Sequence, residues 1–182
     1  MYTNRMSVYL FTFHAYRSWN ADNPRGYVRR GQGMFSPDVT QAHRYDQHAK
    51  QPPMLFEETH QRVMLWIVSD ACQRRGWRLH QIACESTHIH VLVSWKNFLH
   101  WEQVSSKLKN LMSRELGRRL SLPGRRWFST KGSRKRVRDR RHFEYLMQRY
   151  LPGHHGLVWR EGDPLPQLPS ATAGGFETPF CS

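Results

Sequence analysis

Hydrophobic and polar positions alternate from Ser7 to His14, with Val8, Leu10 and Thr12 on one side and Tyr9, Phe11 and Phe13 on the other. A short run this rich in β-branched and aromatic residues predicts a strand. Residues 15–54 then turn polar and turn-rich, through Asn23-Pro24-Arg25-Gly26, Gly31-Gln32-Gly33 and Pro52-Pro53. A loop of that length within a compact domain is usually functional or disordered. From Glu57 to Arg75 the apolar positions Val63, Met64, Ile67, Val68 and Ala71 recur at helical spacing, and Gly76 follows as a stop. Trp77 to Glu85 and His88 to Trp95 read as two further strands. The intervening Ser86-Thr87 makes them an antiparallel hairpin.

A second helix is predicted over Glu102 to Leu120, with Val104, Leu108, Leu111 and Met112 on its apolar stripe. Residues 121–138 are basic and irregular, with a short strand near Trp127 to Ser129 or Arg136 to Arg138. Asp139 is placed to cap a third helix running to about Tyr150. Leu151-Pro152-Gly153 ends it, because the residue before proline avoids the helical region. The order is strand, loop, helix, strand, strand, helix, strand, helix. That order is the split β-α-β pattern of an α+β, ferredoxin-like sandwich with an antiparallel sheet. The expected domain spans 1–156, with 15–54 as a long loop insertion, and 157–182 is a Pro/Gly-rich C-terminal tail.

Composition narrows the partners. The chain has 182 residues, 28 Lys plus Arg and 14 Asp plus Glu, for a formal net charge of +14. Residues 107–141 hold 14 of the basic side chains and only two acids, Glu115 and Asp139. A solvated face would mix in more acids, so the stretch points to a polyanion. Trp127 and Phe128 lie within it, and aromatics among cations suit single-stranded nucleic acid, which needs phosphate neutralisation and base stacking. The candidate nucleic-acid contacts are Arg114, Arg118, Arg125, Arg126, Trp127, Lys131, Arg134, Lys135 and Arg136. No apolar run approaches the ~20 residues of a membrane helix, and no signal peptide is expected. Cys72, Cys84 and Cys181 are odd in number and far apart, which disfavours a disulfide framework or zinc knuckle. The expected setting is a reducing, cytoplasmic one.

The candidate chemistry centres on His88-Ile89-His90. Alternate strand residues share a face, so the two imidazoles point the same way, roughly 7 Å apart along the strand, which suits two ligands on one metal. Paired histidines can equally hydrogen-bond to each other. Tyr150 lies seven residues after Phe143 and so on nearly the same helical face. By itself it reads as a core aromatic. Tyr145, at about 140° around the helix, faces elsewhere. His154 and His155 follow at once, and either can supply a third ligand. Three neutral imidazoles suit Zn or Mn better than Mg, which prefers oxygen.

With His88-Ile89-His90 in Thr87 to Val93, the chain resembles the single-tyrosine HUH transposases and, among them, the REP-associated tyrosine transposases. HUH denotes His, hydrophobic residue, His. Leu10-Phe11-Thr12-Phe13 with Trp19 and Arg25-Gly26, Gly76-Trp77-Arg78-Leu79-His80, Trp127 to Gly132, and Tyr150 to Gly156 extend the resemblance over roughly residues 7–156. It implies a dimeric ferredoxin-like enzyme that cuts and rejoins single-stranded DNA at hairpin-forming ends. Tyr150 would be the nucleophile and would form a 5′-phosphotyrosine. The cofactor would be a divalent metal ion, Mg or Mn, with Zn as the alternative. Such an enzyme would work at the nucleoid, and its tyrosine helix would serve the partner subunit's metal site.

The chain departs from the family in two places. Relatives carry Gln or Asn four or five residues after the tyrosine, where this chain has His154 and His155. They often carry Asn or Asp where it has Thr87. Replication initiators place a lysine three residues after the tyrosine, whereas Gln148 and Gly153 stand here after Tyr145 and Tyr150. Relaxases use a third histidine near the pair and a tyrosine near the N-terminus. Histidine-triad hydrolases need a histidine at the position of Leu92. The competing reading is a protein that binds a DNA or RNA hairpin on the same fold without cutting it.

Overall fold

The computed structural model describes residues 6–29, 32–96, 98–130 and 132–168. In chain order its elements are β1 (Ser7–His14), β2 (Tyr27–Arg29), β3 (Gly33–Phe35), α1 (Val39–Gln47), α2 (Glu58–Arg74), β4 (Arg78–Glu85), β5 (His88–Trp95), α3 (Trp101–Arg119), β6 (Ser133–Arg136) and α4 (Arg140–Tyr145). A π-helical turn, Leu146–Tyr150, and a 3-10 turn, Leu151–Gly153, continue α4, and β7 (Val158–Arg160) follows.

Five strands form one antiparallel sheet in the order β6-β1-β5-β4-β7. Without β7, that is the strand order and helix placement of a ferredoxin-like α+β fold. β5 is central, and everything from Ile89 to Trp95 is buried. Its two faces have different partners because side chains alternate. Ile89, Val91 and Val93 join Phe11 and Phe13 of β1 beneath α2 and α3, which contribute Met64, Val68, Leu108 and Met112. On the other face, Leu92, Leu10 and Ala83 pack against Leu146, Met147 and Leu151 of the turns after α4. The side-chain alternation expected for β1 is therefore the division between the two cores.

Several segments differ from expectation. Residues 15–54 are not one long loop. They fold into the β2–β3 hairpin and α1 around a small core of Ala21, Tyr27, Ala42 and Phe35. The fourth sheet strand lies at Ser133–Arg136, between the two expected positions. Asp139 does cap α4, accepting from the His142 N–H at 2.8 Å. The tail expected from residue 157 is folded as far as 168. β7 pairs with β4 at the sheet edge, and Leu157, Trp159, Leu165 and Leu168 pack on the main core. The rest of that expected tail, 169–182, lies outside the described residues.

The link into β7 is clamped. The Gly156 N–H donates to the Cys84 carbonyl at 3.1 Å, the Cys84 N–H donates to the Leu157 carbonyl at 2.9 Å, and the Leu157 N–H donates to Gln61 Oε1 at 2.8 Å. A Cβ at Gly156 would stand 2.3 Å from the Cys84 oxygen and 2.7 Å from Gln61 Oε1, so only glycine permits this approach. Gly156→Ala should lower unfolding free energy by about 1–3 kcal/mol in urea titrations, the usual cost of overpacking. Gly153→Ala, whose added carbon meets no atom within 4 Å, should stay within about 0.5 kcal/mol. Equal effects from the two substitutions would show that the clamp is not tight.

Candidate metal centre and nucleophile

Because Ile89 and Val91 are held in the main core, His88 and His90 must stand on the opposite face of β5. Their ring centroids are 4.6 Å apart. His154 follows the 3-10 turn and comes from the segment that the Gly156 clamp fixes against β4. Its ring lies 4.7 Å from that of His90 and 5.6 Å from that of His88. One ligand nitrogen from each of the three lies within 4.8 Å of the others.

Each imidazole has a protein oxygen at Nδ1. Thr12 is the cross-strand partner of His90 on β1, and its hydroxyl lies 2.7 Å from His90 Nδ1. The Thr87 hydroxyl lies 2.9 Å from His88 Nδ1. His154 Nδ1 donates to the Leu151 carbonyl at 3.0 Å. A proton held at Nδ1 leaves the Nε2 lone pair as the ligating atom and fixes the ring's orientation.

Electrostatics keep His88 and His90 neutral. Burial, then repulsion from His14 and His154, lowers the His88 pKa to about 4. Burial, then His88 and His154, lowers that of His90 to about 3. Metal ligation needs unprotonated imidazole, so His88 and His90 are in the binding form at neutral pH without help. An all-nitrogen donor set fits Zn or Mn better than Mg. His14, whose pKa burial also lowers, adds a fourth imidazole to this face, with its ring 5.8 Å from that of His88.

The Tyr150 hydroxyl lies 3.3 Å from His90 Nε2. Its ring is 5.3 Å from those of both His90 and His154. The π-helical turn has a consequence that a regular helix would not. Its i→i+5 bonding winds the chain less per residue than an α-helix and so brings residues i and i+5 closer to one face. Tyr145 and Tyr150 therefore stack with centroids 6.4 Å apart, rather than standing on different faces as regular helical spacing predicts. Burial, and then Tyr145, raises the Tyr150 pKa, so the phenol is protonated at neutral pH. The tyrosine meets the histidines of its own chain, so the cluster is assembled within one subunit.

The other expected residues scatter. His155 is exposed, and its backbone N–H donates to Glu85 Oε1 at 3.2 Å. It stays outside the imidazole cluster. Trp127 cannot stack a base as expected: it is 1% exposed, in the main core against the His60 ring. Arg114 and Arg118 sit on α3, the far side of the sheet from the histidines, and both pair with Glu115. Arg125 is tied to the Pro52 and Pro53 carbonyls, and Arg126 lies over the Tyr16 ring. Arg134 stacks on Trp101 at 3.6 Å. Arg136 pairs with Tyr9 in the ladder, and Lys135 pairs with Leu10, on the histidine face. Lys131 lies outside the described residues. Thr12 was not singled out for the site, although its place on the same face of β1 as Val8 and Leu10 was a signal for it.

No protein family and no curated protein matches the chain. Among solved structures, one of a REP-associated tyrosine transposase bound to a REP hairpin is similar at 8% identity and a TM-score of 0.41. The match covers 78% of this chain and 62% of that one. Among the described residues, no helix is long and apolar enough to cross a membrane.

Two outcomes follow from the cluster. His88 and His90 resist protonation in the folded chain far more than at their ordinary value of 6.5. The unfolded chain therefore takes up those protons first. Stability is full above about pH 6.5 and is lost as pH falls toward about 4 and about 3. The Tm of the metal-free protein should drop across that window, and His90→Gln should flatten the drop. A variant with the same slope would contradict the assignment. Second, Thr12→Val should weaken Mn(II) binding by about 10–100-fold in isothermal titration, while Thr12→Ser keeps it.

Proposed function

We propose that the chain is a metal-dependent endonuclease and strand transferase for single-stranded DNA, acting through a 5′-phosphotyrosine at hairpin-bearing ends in the manner of HUH transposases. The observation that carries this is the Tyr150 hydroxyl, 3.3 Å from His90 Nε2 at the edge of a three-imidazole cluster. The contact sets the phenol oxygen beside the nitrogens that would hold the metal. The hairpin preference follows from the motif resemblance of residues 7–156.

His88, His90 and His154 would hold a divalent metal ion, Mn, Mg or Zn, which when bound neutralises charge developing on the scissile phosphate. Tyr150 Oη attacks phosphorus. The new P–Oη bond replaces the P–O3′ bond, and the phenol proton ends on the departing 3′ oxygen. The product is a 5′-phosphotyrosine and a free 3′-hydroxyl. Phosphodiester bonding is conserved in number, so a second 3′-hydroxyl can attack, restore a P–O3′ bond and return the proton to Tyr150. Water as nucleophile would forfeit that reversibility. The Leu151 carbonyl keeps the His154 proton on Nδ1, and the Thr12 and Thr87 hydroxyls orient the His90 and His88 rings. One chain supplies both tyrosine and histidines, so cutting needs no second copy, and a homodimer would serve to hold two DNA ends together. A protein with this chemistry and a +14 charge belongs in the cytoplasm with the nucleoid.

The test is a labelled single-stranded hairpin oligonucleotide incubated with protein and Mn or Mg, then resolved on a denaturing gel. The wild type and Tyr145→Phe should give a covalent protein–DNA band, and Tyr150→Phe should give none. A band from Tyr150→Phe would move the nucleophile elsewhere. Tight binding with no band under any metal would favour the non-cutting hairpin binder.

A further inference from the structure

A second opening lies on the same sheet face as the histidines, at the opposite end of β5. Ser94 marks that end, six residues from His88 and so about 20 Å along the strand. There the sheet and the start of α4 enclose a cleft of about 570 Å³. Val8, Val137, Phe143 and Met147 give it an apolar lining. Phe143 is held edge-on by the buried His80 ring at 5.0 Å, and His80 is itself bonded to Ser94 Oγ at 2.8 Å.

The rim of the cleft is cationic. Arg78 is paired with Glu161 at 2.8 Å, and Arg140 with Glu144 at 2.7 Å. Asp139, the remaining acid of the lining, is occupied by the His142 N–H. Arg138 and Arg160 also line the cleft, and their side chains pair with no acid among the described residues. The cleft therefore offers two uncommitted guanidiniums beside a preformed apolar floor.

We propose that this cleft seats an unpaired nucleotide of single-stranded DNA, with its base on the Phe143 and Met147 floor and the flanking phosphates on Arg138 and Arg160. Alternating apolar and anionic groups are what a single strand presents, and stacking floors beside cations are what such strands bind. An acidic peptide would use the cations and leave the floor idle. The same helical segment carries Met147 into the cleft and Tyr150 to the histidines. The near edge of the apolar floor, at Met147, is thus about one helical turn from Tyr150, and the arginines lie farther along the same face. The inference rests on the DNA-cutting reading for its choice of ligand, but it is tested by binding rather than cutting.

The experiment uses the full chain and a fluorescein-labelled single-stranded oligonucleotide carrying 5-iododeoxyuridine. Anisotropy is measured across a salt series, and photocrosslinks are mapped. Arg138→Ala with Arg160→Ala should weaken binding on the order of tenfold. It should also make the log–log salt dependence shallower by about 1.4, from two phosphate contacts at about 0.7 each. Crosslinks should fall within residues 137–147, and Phe143→Leu should reduce them while leaving the salt slope unchanged. An unchanged slope in the arginine variant, crosslinks confined to other segments, or equal competition by polyglutamate would each overturn the cleft assignment. These outcomes leave the Tyr150 adduct assay unaffected. Conversely, missing adducts with intact crosslinks at 137–147 would sink the cutting reading and keep the cleft.

Discussion

The site depends on one constraint, the burial of β5 on both faces. A central strand cannot rotate or slip by a residue without exchanging its two side-chain sets. Ile89, Val91 and Val93 fill the core under α2 and α3, and moving them into water would cost several kcal/mol. That energy, rather than any property of the imidazoles, drives His88 and His90 to the other face and keeps them there unprotonated. The same register makes Thr12 the partner of His90 and His14 the partner of His88. A packing decision on one side of the sheet thus sets the hydrogen bonding and the proton affinity on the other.

The opposing wall is built with less regularity. Leu146, Met147 and Leu151 bury against Leu10, Ala83 and Leu92, and the chain between them widens into a π-helical turn. With a regular turn, Tyr145 and Tyr150 would be about 140° apart. The wider turn keeps Leu146 and Leu151 both in the core while Tyr150 reaches His90. π-turns of this kind occur often at functional sites, and here the irregularity is what brings the hydroxyl within 3.3 Å of the nitrogen. The 3-10 turn and the Gly156 clamp then return the chain to the sheet and carry His154 over the pair.

Much of this was legible in the residues. β1, the β4–β5 hairpin, α2 and α3 each carry a clear period of two or 3.6, and the shared face of His88 and His90 follows from the period alone. The misses have physical causes. The π turn breaks the α-helical period, so Tyr145 stacks on Tyr150 instead of facing elsewhere. His154 and His155 are chemically identical, and only the Leu151 carbonyl and the Gly156 clamp separate them. Trp127 has the composition of a stacking residue, but composition does not report burial, and α2 and α3 close over it. Residues 157–168 are rich in proline yet supply Leu157, Trp159, Leu165 and Leu168 to a core whose edge was open. The basic stretch is not one surface: α3, Arg134 and Arg136 lie on the helix side of the sheet, whereas Lys135 lies on the histidine side.

That division bears on how a strand could be retained. The formal charge of +14 describes the whole surface, and the ion pairs decide where it is weakest: Glu58 offsets Arg62, Asp70 offsets Arg74, and the single carboxylate of Glu115 is shared by Arg114 and Arg118. Such exposed pairs add little stability, yet they cancel the field where they stand. What remains for a polyanion is set by placement after pairing. On the histidine face, Lys135 lies on one edge, and Arg138 and Arg160 lie at the far end. A tyrosine that cuts and rejoins keeps only the 5′ side covalently. The 3′ side would diffuse away unless groups remote from the reacting phosphorus held it. Holding that end turns an encounter between separate molecules into one within a single complex, the largest advantage that positioning can supply. Cations at a distance along the same face could supply it.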